Sequence, residues 1–197
     1  LSQNPIATHF QQSLTALQRA ANDTALLAVV GDIAVTIIDA LRSGNKVLLI
    51  GNGGSAADAQ HIASEIVGRY RKERPGYAAI ALTTDTSALT AISNDYGFEQ
   101  IFARQIESLG RPGDVLLALS TSGRSPNILA ALSAARRLGL VTVGFTGLKG
   151  QSLHEICDHL LVAPSDDTPV IQQIHMTAAH AICDNVEHAL VDGAGRK

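Results

Sequence analysis

Tryptophan is absent, aromatic residues make up 4% of the 197, and cysteine occurs twice. The 46% hydrophobic content is therefore mostly aliphatic, and it suffices for a sizeable core in a single domain. That excludes a disordered chain, which lacks the apolar area to offset the entropy of ordering. Cys157 and Cys183 form neither a disulfide framework nor a zinc-finger spacing, so a reducing compartment is expected. Positive charge is scarce too. Fifteen Lys and Arg against 18 Asp and Glu leave a net charge of −3, which speaks against a broad nucleic-acid-binding face. Charged residues total 17%, below the roughly 25% of an average domain, and raise the question of whether some surface is covered in the working molecule. No cationic stretch followed by an apolar one opens the residues, so no secretory signal is expected. The most apolar run, Ala25 to Gly31, is broken by Asp32 and falls short of a membrane span. The expectation is a soluble cytoplasmic protein with neither membrane nor nucleic acid as partner.

What is present begins with two helices. Phe10, Leu14, Leu17 and Ala20/Ala21 recur at helical spacing, and Asn22-Asp23 offers a break and a cap. A second helix, about 24–42, carries apolar residues around nearly its whole circumference and should be buried on several sides. From residue 46 short aliphatic runs appear at 46–50, 78–82, 114–119, 141–145 and 159–162. Helical stretches separate them at about 56–70, 84–94, 98–109, 126–138 and 150–156, and a last helix, about 169–191, follows Thr168-Pro169. Continuous apolar strands alternating with helices predict an α/β fold with a mostly parallel sheet covered on both faces. Residues 1–44 would form a helical hairpin attached to one α/β unit over 45–197.

Ligands bind outside the carboxyl ends of the strands in such sheets. Two ends carry unusual loops. Gly51-Asn52-Gly53-Gly54-Ser55 leads into a helix, where glycines allow close backbone approach and free amides favour an anion. Its spacing is neither GxGxxG nor a Walker loop, so a dinucleotide or nucleoside triphosphate is a weak reading. Ser120-Thr121-Ser122-Gly123-Arg124-Ser125 precedes Pro126 and makes a neutral cradle of hydroxyl and amide donors, suited to a phosphate monoester. Either loop alone could be an ordinary capping turn. His61 and Glu65, four apart, share one helix face and could share a metal or exchange a proton; they could equally be a solvated pair. His180 reads as well as a core histidine, Gln172 as a solvated first-turn residue, and Asn94-Asp95 as a turn. Arg69, Arg71, Lys72 and Arg74 cluster at the end of the His61 helix, where cations complement the dipole.

Taken together, GNGGS, His61, Glu65, Asn94-Asp95, STSGxS and the Gln172…His180 helix closely resemble the sugar isomerase (SIS) superfamily, and within it the phosphoheptose isomerase family. The resemblance spans roughly residues 45 to 190. It implies a three-layer αβα sandwich on a five-stranded parallel sheet, flavodoxin-like, with the N-terminal hairpin packed centrally in a homotetramer. It implies interconversion of sedoheptulose 7-phosphate and D-glycero-D-manno-heptose 7-phosphate, the first step toward ADP-heptose for lipopolysaccharide core. Glu65 matches the family's base and His180 its acid. The matching substrate-binding positions are Asn52, Gly53, Gly54, Ser55, Glu65, Asn94, Asp95, Ser120, Thr121, Ser122, Ser125 and Gln172. The resemblance also implies one zinc per subunit, on His61, Glu65, Gln172 and His180.

Two positions depart from the family pattern: Gln173, where many relatives place Glu, and Pro169, where some place an acidic residue. Among rival readings, a non-catalytic SIS protein that binds the bacterial replication initiator shares both loops. Its close relatives lack the residues at positions 65 and 180. An isomerase of another sugar phosphate, or a sugar-phosphate sensor fused to a DNA-binding domain, would bring a different serine motif or a helix-turn-helix segment.

Overall fold

Alternation along the strands sorts the chain into layers. The computed structural model describes residues 4–194. Helices α1 (Pro5–Asn22) and α2 (Thr24–Arg42) precede β1 (Val47–Gly51), α3 (Gly54–Val67), β2 (Ala79–Ala81) and α4 (Thr86–Tyr96). A 3-10 turn at Phe98–Gln100 leads to α5 (Ala103–Leu109), β3 (Val115–Leu119), α6 (Pro126–Arg137) and β4 (Val141–Gly147). A 3-10 segment at Leu148–Glu155, β5 (His159–Ala163) and α7 (Thr168–Ala194) complete it. The five strands are all parallel, in the order β2-β1-β3-β4-β5. Val47, Leu49, Val115, Leu117 and Val143 pack on one side with α2, α3 and α7. Leu48, Ile50, Leu116 and Ala118 pack on the other with α5 and α6. The expected α/β three-layer sandwich is therefore present, because strands buried on both faces must be apolar at consecutive positions.

At the amino ends of the central strands, Asp114 is buried and accepts the Lys46 and Arg111 backbone N–H groups and the Lys46 ammonium, at 3.0, 2.8 and 2.6 Å. This clamp fixes β1 against β3 at the end opposite the glycine and serine loops.

The hairpin turns at Asp23, whose carboxylate accepts the amides of Ala25 and Leu26 and caps α2. By length and composition α2 could cross a membrane, yet Ile33 and Ile37 are fully buried against the fold. One chain does not cover the whole apolar circumference of α2: Leu27 and Val35 are 50% and 56% exposed. On α1 the core takes Ala16 and Ala20, while Phe10 and Leu14 of the expected stripe face outward, at 71% and 48%.

Several helix boundaries differ from the sequence expectation. The helix expected at 98–109 is a 3-10 turn followed by α5. α3 stops at Val67, because Gly68 leaves helical geometry (φ −80°, ψ −103°). The cationic cluster therefore lies beyond the helix, on an irregular strap over residues 68–76, from which Arg74 turns back to the last carbonyls of α3.

Arg74 is structural. It is buried, donates to the fully buried Glu187 at 3.0 Å, and reaches the carbonyls of Glu65, Ile66, Gly68 and Pro75. Glu187 also accepts the backbone amides of Tyr70, Arg71 and Lys72, at 2.8, 2.7 and 2.6 Å. Burial by itself would raise this carboxyl. The amides of Lys72, Tyr70 and Arg71 and the Arg74 guanidinium outweigh it and hold the carboxyl at about 2, below its ordinary 4.5.

Depressed in the folded state, this group contributes stability that is fully present above pH 4.5 and is lost as pH falls toward 2. Glu187→Gln should lower the denaturant midpoint at neutral pH and flatten its fall across that acid window. A wild-type acid profile retained in the variant would exclude Glu187 as its source.

Candidate active site

Strand order reverses between β1 and β3, since α3 leads from β1 outward to β2 while β3 starts the run toward β5. A crevice opens at such a switch point, beyond the carboxyl ends of the two strands. Both unusual loops lie there, the glycine loop after β1 and the serine loop after β3. They are joined by a reciprocal amide pair. Asn52 donates to Asn127 Oδ1 at 2.9 Å, and Asn127 donates back to Asn52 Oδ1 at 2.8 Å. Asn127, buried in the first turn of α6, was missed by the sequence reading; its only signal is its place two residues after Ser125.

In the glycine loop, Gly53 has φ +56° and α3 begins without a side-chain cap; the Ser55 and Ala56 amides turn back to the Asn52 and Gly53 carbonyls, at 3.0 and 3.1 Å. A Cβ at Gly54 would collide with the Gln172 amide, which places Gln172 of α7 directly over this loop. Ser55 is buried in the first turn of α3. In the serine loop, Ser120 Oγ accepts the Gly123 amide at 3.2 Å, Ser122 Oγ accepts the Arg124 amide at 3.3 Å, and the Thr121 carbonyl accepts the Gly147 amide. Gly123 has φ +64° and lies against Gly150, leaving no room for a side chain. Ser125 occupies the cap position of α6 but makes no side-chain cap bond, so its hydroxyl remains for a ligand. Asn94 and Asp95 bond to each other at 2.8 Å on the exposed end of α4.

His61 and Glu65 of α3 bond at 3.2 Å, and His180 of α7 joins them. One ligand atom from each lies within 4.8 Å of the others, and the two imidazoles meet edge to face at 5.2 Å between centroids. Two nitrogens and a carboxylate oxygen are a donor set that suits zinc. Gln172 lies on α7 eight residues before His180, with its side-chain amide against Gly54. Asp58, three residues before His61 on α3, was also missed. Burial raises its carboxyl, the His61 charge opposes that, and its buried Oδ2 has no hydrogen-bond partner. Burial, then the Glu65 charge, push the nearby Cys183 thiol up to about 12, so it offers no thiolate at neutral pH.

Another histidine of α7 belongs to the core. His175 is fully buried, bonds the Thr146 carbonyl at 3.2 Å and packs edge to face on Phe145. Burial lowers it to about 4 despite that bond, so it stays neutral. Gln173 and Pro169 are both exposed, away from this core. A cleft of about 850 Å³ between α1 and the β5–α7 connection contains none of the expected site residues.

Asn127→Ala would leave Asn52 unpaired and free the two loops to drift apart. Its KM for a sugar phosphate should rise about tenfold with a smaller change in kcat, whereas Asn127→Asp, which preserves one of the two bonds, should lie between. Steady-state kinetics on the two variants checks this.

Comparison with known proteins bears directly on this geometry. The SIS domain family profile matches residues 9–147. The phosphoheptose isomerase of Bradyrhizobium sp. (strain BTAi1) is 68% identical over 186 residues, 94% of each chain. The solved structure of phosphoheptose isomerase GmhA from Neisseria gonorrhoeae superposes with a TM-score of 0.86 at 42% identity, covering 92% of this chain and 96% of that one. A phosphoheptose isomerase structure from Francisella tularensis gives 0.90 at 38% identity, covering 95% and 99%. Sharing a fold, much of its sequence and most of its length with these proteins, the chain belongs to the phosphoheptose isomerase family of SIS-domain sugar-phosphate isomerases.

Proposed function

We propose that the chain interconverts sedoheptulose 7-phosphate and D-glycero-D-manno-heptose 7-phosphate through an enediol, as the first step toward ADP-heptose for lipopolysaccharide core. The observation that carries this reading is the grouping of Glu65 and His180, from two different helices, beside two anion-ready loops. A binding protein has no need of a carboxylate and an imidazole so placed, whereas aldose–ketose exchange requires both a base and an acid.

Starting from the ketose, Glu65 takes the proton from C1 while His180 donates one to the C2 oxygen, giving the enediol. The O1 proton then passes to His180, which restores the acid, and Glu65 returns its proton to C2. Ser120, Thr121, Ser122 and Ser125 would hold the phosphate, with Ser55 and the Gly53 and Gly54 backbone closing the other side. Asn52, Asn94, Asp95 and Gln172 would meet sugar hydroxyls. The pairing of Asn52 with Asn127 still leaves one N–H of Asn52 for that task.

His61, Glu65 and His180, together with Gln172, would hold one zinc per subunit. When bound, the metal would polarise the carbonyl oxygen as a Lewis acid. A carboxylate shared with a metal is a weaker base, so Glu65 carries two demands on one group. We place the reaction in the cytoplasm and in a homotetramer. Support for the assembly comes from the apolar residues that one chain leaves outside, Ile6 and Phe10 of α1 and Leu27 and Val35 of α2. Residues 1–44 would thus serve association, and 45–197 the chemistry.

Purified protein should convert sedoheptulose 7-phosphate, more slowly after chelation and fully again with zinc. No turnover even with zinc supplied would overturn the substrate assignment. Glu65→Gln and His180→Gln should each cut kcat by roughly 10² to 10⁴ while sugar-phosphate binding persists. Near-normal activity in either would remove that residue from its role. In sedimentation, a stable monomer would contradict the tetramer.

A further inference from the structure

The strap over residues 68–76 lacks regular structure, yet three of its consecutive amides converge on the Glu187 carboxylate. Arg74 adds a bond from the strap to Glu187 and another to the Glu65 carbonyl at 2.8 Å. One polar network therefore fastens both this strap and the last turn of α3. Its cost is the desolvation of a carboxylate and a guanidinium, a large outlay for holding an ordinary surface loop.

What the strap delivers is Tyr70. Its ring stacks on the His180 imidazole, with centroids 5.7 Å apart and planes inclined by 28°. His180 also meets His61 edge to face, at 5.2 Å between centroids. The Arg71 guanidinium lies 5.0 Å from the centroid of the Tyr70 ring and pairs with Asp184 at 3.7 Å. The His180 imidazole is thus bounded by an aromatic face that reaches it from outside both α3 and α7. No hydrogen bond to the Tyr70 hydroxyl is found among the described residues, which leaves the ring face as its contribution.

We propose that Tyr70, clamped through Glu187, is a positioning residue that fixes the orientation of the His180 imidazole toward the reacting oxygen. The proposal rests on the acid role assigned to His180. An imidazole that swings by an ångström or more delivers its proton less often, which lowers turnover without loosening the phosphate.

The test compares Tyr70→Phe, Tyr70→Leu, Glu187→Gln, His180→Gln and the Tyr70→Leu/His180→Gln double variant by steady-state kinetics, with the thermal midpoint of each recorded. Tyr70→Leu keeps an apolar side chain against the core, so it should fold. Tyr70→Phe retains the ring face and should stay within about twofold of wild type. Tyr70→Leu should lower kcat about ten- to a hundredfold with KM changed by less than about threefold, and Glu187→Gln should shift kcat in the same direction. The double variant should be no slower than His180→Gln alone, because Tyr70 acts only through that imidazole. Unchanged kcat in Tyr70→Leu, a loss confined to KM, or losses that multiply in the double variant would each overturn the proposal. If His180→Gln is slow while Tyr70→Leu is normal, only the positioning role falls. If His180→Gln turns over normally, the acid assignment itself is wrong and the proposal falls with it.

Discussion

Parallel strands can be joined only by crossovers, and the order β2-β1-β3-β4-β5 sends those from β1 and β3 to opposite sides of the sheet. Everything that acts in this protein depends on that divergence. It opens a crevice that no side chain of the sheet has to fill, and it leaves two helix N-termini, those of α3 and α6, facing the same space. An anion entering there meets the positive ends of both helix dipoles. The clamp at Asp114 holds the opposite ends of β1 and β3 together, so the opening at the carboxyl ends is a property of a rigid wedge rather than of two loose loops.

The polar groups behind the crevice follow a consistent logic. Asn52 and Asn127 satisfy each other across the two loops, so neither loop relies on a ligand for its shape. Ser125 forgoes the cap bond that a serine at that position commonly makes, which sacrifices some helix stability for a free hydroxyl. Glu187 shows the reverse priority, with its carboxylate wholly consumed by protein donors.

Features set by local pattern were legible in the sequence. The buried strands declared themselves as unbroken aliphatic runs, and the two loops by glycine and serine before helical segments. His61 and Glu65 were readable as a pair because helical spacing alone places them on one face. The remainder depends on contacts between distant residues. Nothing near Asn127 reveals a partner 75 positions earlier, and nothing near Tyr70 reveals Glu187, 117 positions later. The cations at 69–74 looked like part of a helix terminus because their neighbours are compatible with helix; Gly68 ends it earlier, and Arg74 serves the buried carboxylate as well as the last carbonyls of α3. Of the stripe read on α1, Ala20 and Leu17 pack on the core, but nothing in its correct helical period indicated that Phe10 and Leu14 would face outward or that Ala16 would be buried.

Gln172, His175, His180 and Glu187 all ride on α7, and each answers to a different part of the molecule: the glycine loop, β4, the His61–Glu65 pair and the strap. Their registration is set by one uninterrupted helix rather than by four separate fittings. Removing a single residue between the first and last would turn every later position by about 100° and pull it in by about 1.5 Å. Lineages of this protein are thus free to exchange side chains on the outer surface of α7 but are constrained in its length. Insertions and deletions should collect in the connections before it.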